Sequence, residues 1–219
     1  MTVLPGRSFP LGATVVDGGV NFCVFSRGAR RLELLLFGDA GDTEPARVIR
    51  LDAPAHRTYH YWHAFVPDLR PGQVYAYRAI GPFDPARGLR FDPAKVLLDP
   101  YARAVVVPDG YDRRAASRPG DNTKTAIRSV VVDPVPYDWE GDAPLHHPFA
   151  TTVIYEMHLA GFTRHPSSGV APERRGTYAG MIEKIPYLRD LGITAVELMP
   201  VFQFDSQDCP PDLVNYWGY

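Results

Sequence analysis

Two apolar runs, Val153–Leu159 and Ile193–Met199, flank a helical pattern, and no other part of the sequence restricts the fold as tightly. Each run is the length of a strand. A polar loop with Pro166 and Gly169 follows the first. Then Met181, Ile185, Leu188 and Leu191 recur at spacings of four and three, one apolar stripe on a helix running from about Tyr178 to Leu191. Strand, helix and strand make a βαβ unit, which implies a parallel pair and a right-handed crossover. Gly192 is placed to end the helix in a left-handed conformation. Pro186 falls inside the pattern, where it removes a backbone donor. The sequence therefore predicts either a kink there, or a short helix ending near Glu183 and a second one starting around Pro186.

The same runs carry charges. Parallel strands covered on both faces should be apolar throughout, yet Glu156 and His158 interrupt the first and Glu197 the second. Alternation puts Ile154, Glu156 and His158 on one face of the first strand, and Ala195, Glu197 and Met199 on one face of the second. With the helix over the apolar faces, both glutamates are expected to point into one interior. A buried carboxylate needs a partner, and neither strand supplies one.

The amino-terminal half has another rhythm. Val20–Ser26, Leu32–Phe37, Val48–Leu51, Tyr59–Val66, Val74–Ile80 and Val105–Val107 read as short strands, separated by turn residues such as Asp17-Gly18-Gly19 and Pro71-Gly72. About a hundred residues punctuated in this way suit a β-sandwich. Residues 81–100 read as an ordered, proline-punctuated loop. Residues 109–126, polar and rich in Arg, Asp and Gly, read as a surface linker, with one more short strand at Ser129–Asp133. The expected organisation is a sandwich over 1–110, a linker over 111–150 and a βαβ segment over 151–219.

Composition excludes several classes. The net charge of −2, with basic residues scattered through 219 positions, gives no electrostatic case for nucleic acid or an anionic membrane. No apolar run approaches the ~20 residues that span a bilayer, and the amino terminus lacks a signal-peptide core, so the cytoplasm is the expected compartment. Cys23 and Cys209 are far apart in sequence and read as free thiols. His146-His147 have no metal-ligand spacing to a further His or Cys, and neither a metal nor a cofactor is expected.

Three stretches, VIYEMHLAGFT at 153–163, LGITAVELMPVFQF at 191–204 and NYWGY at 215–219, resemble the start of the catalytic barrel in isoamylase-type glycogen debranching enzymes of the α-amylase superfamily, glycoside hydrolase family 13. GVNFCVFS at 19–26, FVPDLRPGQVYAYR at 65–78 and GPFDPARGLRFDPAKVLLDPYA at 81–102 resemble the sandwich that precedes that barrel, carbohydrate-binding module family 48. The resemblance implies an immunoglobulin-like β-sandwich followed by the first βαβ unit of an incomplete (β/α)8 barrel. It implies an α-glucan partner (glycogen, amylopectin or maltodextrin) and an α-1,6-glucosidase activity. The family's nucleophilic Asp, acid Glu and third carboxylate follow strands four, five and seven, and no residue here matches them. Catalytic residues are therefore not assigned, and the chain alone is expected to be inactive. Two other readings stay open: a glucan-binding module without catalysis, or part of a branching or trehalose-releasing sister enzyme.

For substrate contact, the resemblance makes Tyr219 a stacking platform under a sugar, with Trp217 beside it and Asn215 and Tyr216 bracing the loop. Trp62, with Tyr59, Tyr61 and Tyr75, is the candidate platform on the sandwich, set against a role in core packing. Glu156 and Glu197 are expected to be structural charges, and His158 a hydrogen-bonded barrel residue. The part from 151 onward, with its unclosed strand pair, is expected to be poorly ordered or to be covered by self-association.

Overall fold

The computed structural model describes residues 2–133 and 136–219. They divide into two compact units, Met1–Pro136 and Tyr137–Tyr219.

In the first unit, β1 (Gly12–Val16), β2 (Gly19–Phe25), β5 (Arg57–Thr58) and β6 (Tyr61–Pro67) form an antiparallel sheet in the order β1-β2-β6-β5. A second sheet takes β3 (Arg31–Phe37), β4 (Arg47–Leu51), β7 (Val74–Ile80), β10 (Ala104–Val106) and β11 (Arg128–Val130), in the order β10-β11-β7-β3-β4. The sheets share one core. Val20, Phe22 and Val24 of β2 meet Leu32, Leu34 and Leu36 of β3, with Trp62, Tyr75 and Tyr77 filling the space between. Period-two alternation produces this set directly.

Strands β2, β3 and β7 are buried on both faces, and the sequence explains the first two. The nearly unbroken run of β3 turns Leu35 and Phe37 away from the shared core, where they pack with Val74, Ala76, Val96 and Ala126. In β2, Asn21 and Cys23 face outward but are covered. Asn21 accepts from the Arg7 amide at 2.7 Å and donates to the Arg7 carbonyl at 3.1 Å, pinning the amino-terminal segment over the sheet. The loop over 81–100 contains a small hairpin, β8 (Phe83–Asp84) and β9 (Leu89–Arg90).

The segment 111–133 is not a linker. It holds α1 (Arg113–Ser117) and β11, and its polar residues Asn122, Thr123, Arg128 and Ser129 are buried, whereas those of α1 are exposed. Asn122 accepts from Val96 N at 2.8 Å and donates to Val96 O at 3.2 Å. Arg128 is fully buried, with its guanidinium 3.8 Å from the Phe37 ring centroid. It donates to Ala40 O at 2.9 Å, to Thr123 O at 2.9 Å and to Asp42 O. Part of a polar sequence is thus packed because its side chains satisfy backbone groups that apolar residues could not. Pro134 and Val135, within the expected linker, lie outside the described residues.

In the second unit, β12 (Ile154–Met157) and β13 (Ala195–Leu198) pair in parallel, with Glu156 opposite Glu197. Between them come α2 (Leu159–Arg164), α3 (Tyr178–Ile182) and α4 (Ile185–Asp190). The helical pattern is split between α3 and α4, and Pro186 stands in the first turn of α4, where its missing N–H costs nothing. Gly192 takes φ 87°, as the end of the helix requires. Helix α2 was not legible in the sequence, because the apolar run into Leu159 masks a strand that stops at Met157. Thr163 of α2 is fully buried and accepts from Gly176 N at 2.8 Å, which ties α2 to the loop before α3. Glu156 and Glu197 lie opposite each other on one face of the pair, as alternation placed them, and both are exposed. No helix among the described residues is long and apolar enough to cross a membrane.

Candidate functional site

The carboxyl ends of β12 and β13 are where parallel sheets build sites. Here they carry His158 and the segment 200–204, and an aromatic corner forms beside them. His158 is the N-cap of α2, and its Nδ1 accepts from Gly161 N at 3.0 Å. That bond fixes the ring and leaves Nε2 as the donor. Tyr216 stacks on the His158 ring at 4.3 Å and 17°, and Trp217 meets Tyr216 edge-on at 5.2 Å. Gly161 permits this packing, since a Cβ there would come within 2.7 Å of the Tyr216 hydroxyl.

The end of the chain is tied to itself. Asn215 donates to Tyr219 O at 2.7 Å and accepts from Gly218 N at 3.0 Å, which makes it the brace the sequence suggested. A cavity of about 460 Å³ opens beside the corner, with His158, Arg164, Tyr178, Phe204 and Tyr216 in its wall. Half-exposed aromatic faces, an imidazole donor and a guanidinium in one concave place can hold a polar ring-shaped ligand by stacking and hydrogen bonding. They include no pair of carboxylates able to act as acid and nucleophile.

Tyr219 is 76% exposed and Trp217 50%, so both rings are accessible, though neither forms part of the cavity wall. Arg164 and Tyr178 were missed by sequence reading. Both lie in stretches whose only signals were helical or polar. Trp62 is corrected: it is 0% exposed, its Nε1 donates to Ser26 O at 3.1 Å, and Arg57 lies over its ring at 4.8 Å. It fills the sandwich core and cannot present a face to a ligand. Tyr75 is likewise buried, with its hydroxyl donating to Asp99 at 2.8 Å, whereas Tyr59 is 77% exposed.

Comparison with known proteins agrees with this division. Residues 10–102 match the model of carbohydrate-binding module 48, the isoamylase N-terminal domain, and residues 121–218 match that of the alpha-amylase catalytic domain. The chain therefore carries a sandwich that matches carbohydrate-binding module 48, followed by a stretch that matches part of an alpha-amylase catalytic domain. The second match begins inside the sandwich unit, before β11.

The chain is 42% identical to isoamylase 1 of Oryza sativa over 99% of its length, covering 27% of that protein. It is 44% identical to the glycogen debranching enzyme of Serratia proteamaculans over 98% of its length, covering 33% of that protein. The chain thus spans a third or less of the curated relatives it matches. Among solved structures, the pullulanase from Bacillus acidopullulyticus aligns over 91% of this chain and 22% of its own, with a TM-score of 0.67 and 24% identity. The Group B Streptococcus pullulanase aligns over 93% of this chain and 25% of its own, with a TM-score of 0.68 and 22% identity. These two likenesses establish the fold.

Proposed function

We propose that these residues are the amino-terminal part of a retaining α-1,6-glucosidase that debranches glycogen or starch dextrins. On this reading the first unit binds α-glucan and the second begins the catalytic barrel. The observation that carries the proposal is identity of 42–44% running over 98–100% of the chain, through both units, to isoamylase and glycogen debranching relatives. The aromatic corner supports it, because Tyr219 and Trp217 offer open ring faces beside a cavity at the carboxyl ends of the strands. In this reading the two rings contact the glucan, and the remaining barrel strands of the longer protein cover Ile154 and Val196. Two copies of the chain by itself would pair through that same edge. The cytoplasm is the proposed compartment, in keeping with two free thiols.

Cleavage requires an acid on the leaving oxygen and a carboxylate on the other face of the sugar. Glu156 and Glu197 are exposed within the strands and are not placed to serve. The test is product analysis on branched substrates. The whole protein encoded by the longer reading frame should release linear maltodextrins from amylopectin and reducing ends from pullulan, while residues 1–219 alone release none. New α-1,6 branches or trehalose as product would assign a sister enzyme instead. Glycogen binding without any hydrolysis would assign a binding module.

A further inference from the structure

The most strained exposed aromatic in the first unit is Tyr59. Strands β5 and β6 form a hairpin in which Thr58 faces Tyr61, so Tyr59 and His60 are its two-residue turn. The first turn residue has φ 57°, in the left-handed region. Glycine or asparagine is the favoured occupant of that position, because an ordinary side chain there crowds its own backbone. The sequence places a tyrosine there instead, and the ring is 77% exposed. It gains no core contact in return for the strain.

The turn is also held firmly. Arg57 Nε donates to Tyr59 O at 2.8 Å, and Ser26 N donates to His60 O at 2.9 Å. The Tyr59 ring lies on the His60 ring at 3.8 Å, and His60 in turn meets Phe25 edge-on at 6.0 Å. Phe25, 48% exposed, touches Tyr61 at 5.6 Å. The result is an aromatic surface at one corner of the sandwich, exposed at Tyr59 and Phe25 and half-buried at His60 and Tyr61, with no carboxylate among its members. Backbone strain that persists because its surroundings over-determine it is a mark of function.

We infer that Tyr59, on its His60 base and beside Phe25, is a stacking platform of the sandwich for a neutral α-glucan chain. The inference rests on the debranching reading for the identity of the sugar, and it gives the first unit the accessible ring that Trp62 cannot supply. A pyranose presents one face of C–H groups, which pack flat on an aromatic ring, while its hydroxyls stay in water or reach the flanking Arg57 and Thr58. A small, uncharged and shallow surface suits a repeating neutral polymer, which gains strength by engaging such a patch many times along its length.

The test uses the 219-residue chain in affinity electrophoresis through gels containing glycogen, with thermal melting and size-exclusion chromatography run on the same samples. Tyr59→Gly should weaken retention about fivefold or more while its Tm stays level or rises, since glycine relieves the left-handed strain. Tyr59→Asn, which also tolerates that conformation, should weaken it similarly, and Tyr59→Phe should hold it within about twofold. Wild-type chain that glycogen does not retard, or retention unchanged in both Tyr59→Gly and Tyr59→Asn, overturns the platform. So does a change in oligomeric state on Tyr59→Gly with glycogen retention intact, which would make the corner a protein interface. The debranching reading is judged separately, by the products of the whole protein. Linear maltodextrins released there with a neutral Tyr59→Gly would remove only the platform.

Discussion

The two units use similar apolar residues to opposite ends. In the sandwich, β2, β3, β6 and β7 bury nearly every apolar side chain, with Trp62 fully buried among them. In the second unit only Met157, Val170 and Leu188 are buried apolar residues, while Ile154, Ile182, Leu191 and Val196 lie open. A sandwich closes its two faces on each other and needs nothing further. A parallel pair has two edges and two faces, and the helices α2, α3 and α4 cannot cover all four. The contrast teaches that apolar patterning states that a surface will be covered, not by what.

The contrast breaks first at Trp62. Trp62→Ala should cost the first unit about 3–5 kcal/mol, a fall of roughly 10–20 °C in its thermal transition. Tyr216→Ala, at a half-exposed ring of the second unit, should cost no more than about 1 kcal/mol. Equal losses from the two substitutions would mean that the second unit has a core of comparable weight.

The two cysteines sharpen the same comparison. Cys23 is fully buried, and burial first, then the nearby charge of Asp99, pushes its thiol up to about 11. Cys209 is only half-buried. Because the thiolate is the reactive form, a disulfide reagent should label Cys209 about 100-fold or more faster than Cys23 in the native chain, and equally fast in denaturant. Rapid native labelling of Cys23 would show that the sandwich opens easily.

The smallest effect is a pH dependence confined to the first unit. Burial, with His56 second, holds His63 below the usual imidazole range, and its Nε2 sits 2.9 Å from Thr58 Oγ1. The folded state therefore binds fewer protons than the unfolded one. Its stability is full above about pH 6.5 and falls as the pH drops below that value. Asp99 works the other way, since burial raises its carboxyl and favours the folded state at low pH. Comparing wild type with His63→Gln between about pH 7 and 5 isolates the histidine: the wild type should lose stability relative to the variant as the pH falls. Parallel curves would remove His63 from the account.

Much of this molecule is legible in the residues. Val74–Ile80 matches its strand to the residue, and Met181, Ile185, Leu188 and Leu191 mark the helical stretch that Pro186 divides. The brace at Asn215 and the ring cluster of Tyr216 and Trp217 follow from motif resemblance. Other features were not legible, each for a stated reason. Gly12–Val16 has too little alternation to stand out as a strand. The Tyr59–Val66 run reads as one strand because a tyrosine occupies a turn position that usually announces itself with glycine. Helix α2 hides behind the end of an apolar run.

By itself, then, the sequence determined which side chains share a face, which stretches form most of the strands and the divided helix, and the order of the two units. Local periodicity and steric limits on the backbone decide those. Tertiary structure alone decided which faces are covered. It turned Trp62 inward and left Tyr59 outside, packed the polar stretch around Asn122 and Arg128 into the sandwich, and left Glu156 and Glu197 side by side in the open. Burial depends on what a face meets, and that partner is set by strand order and crossover, which no local pattern in the chain encodes.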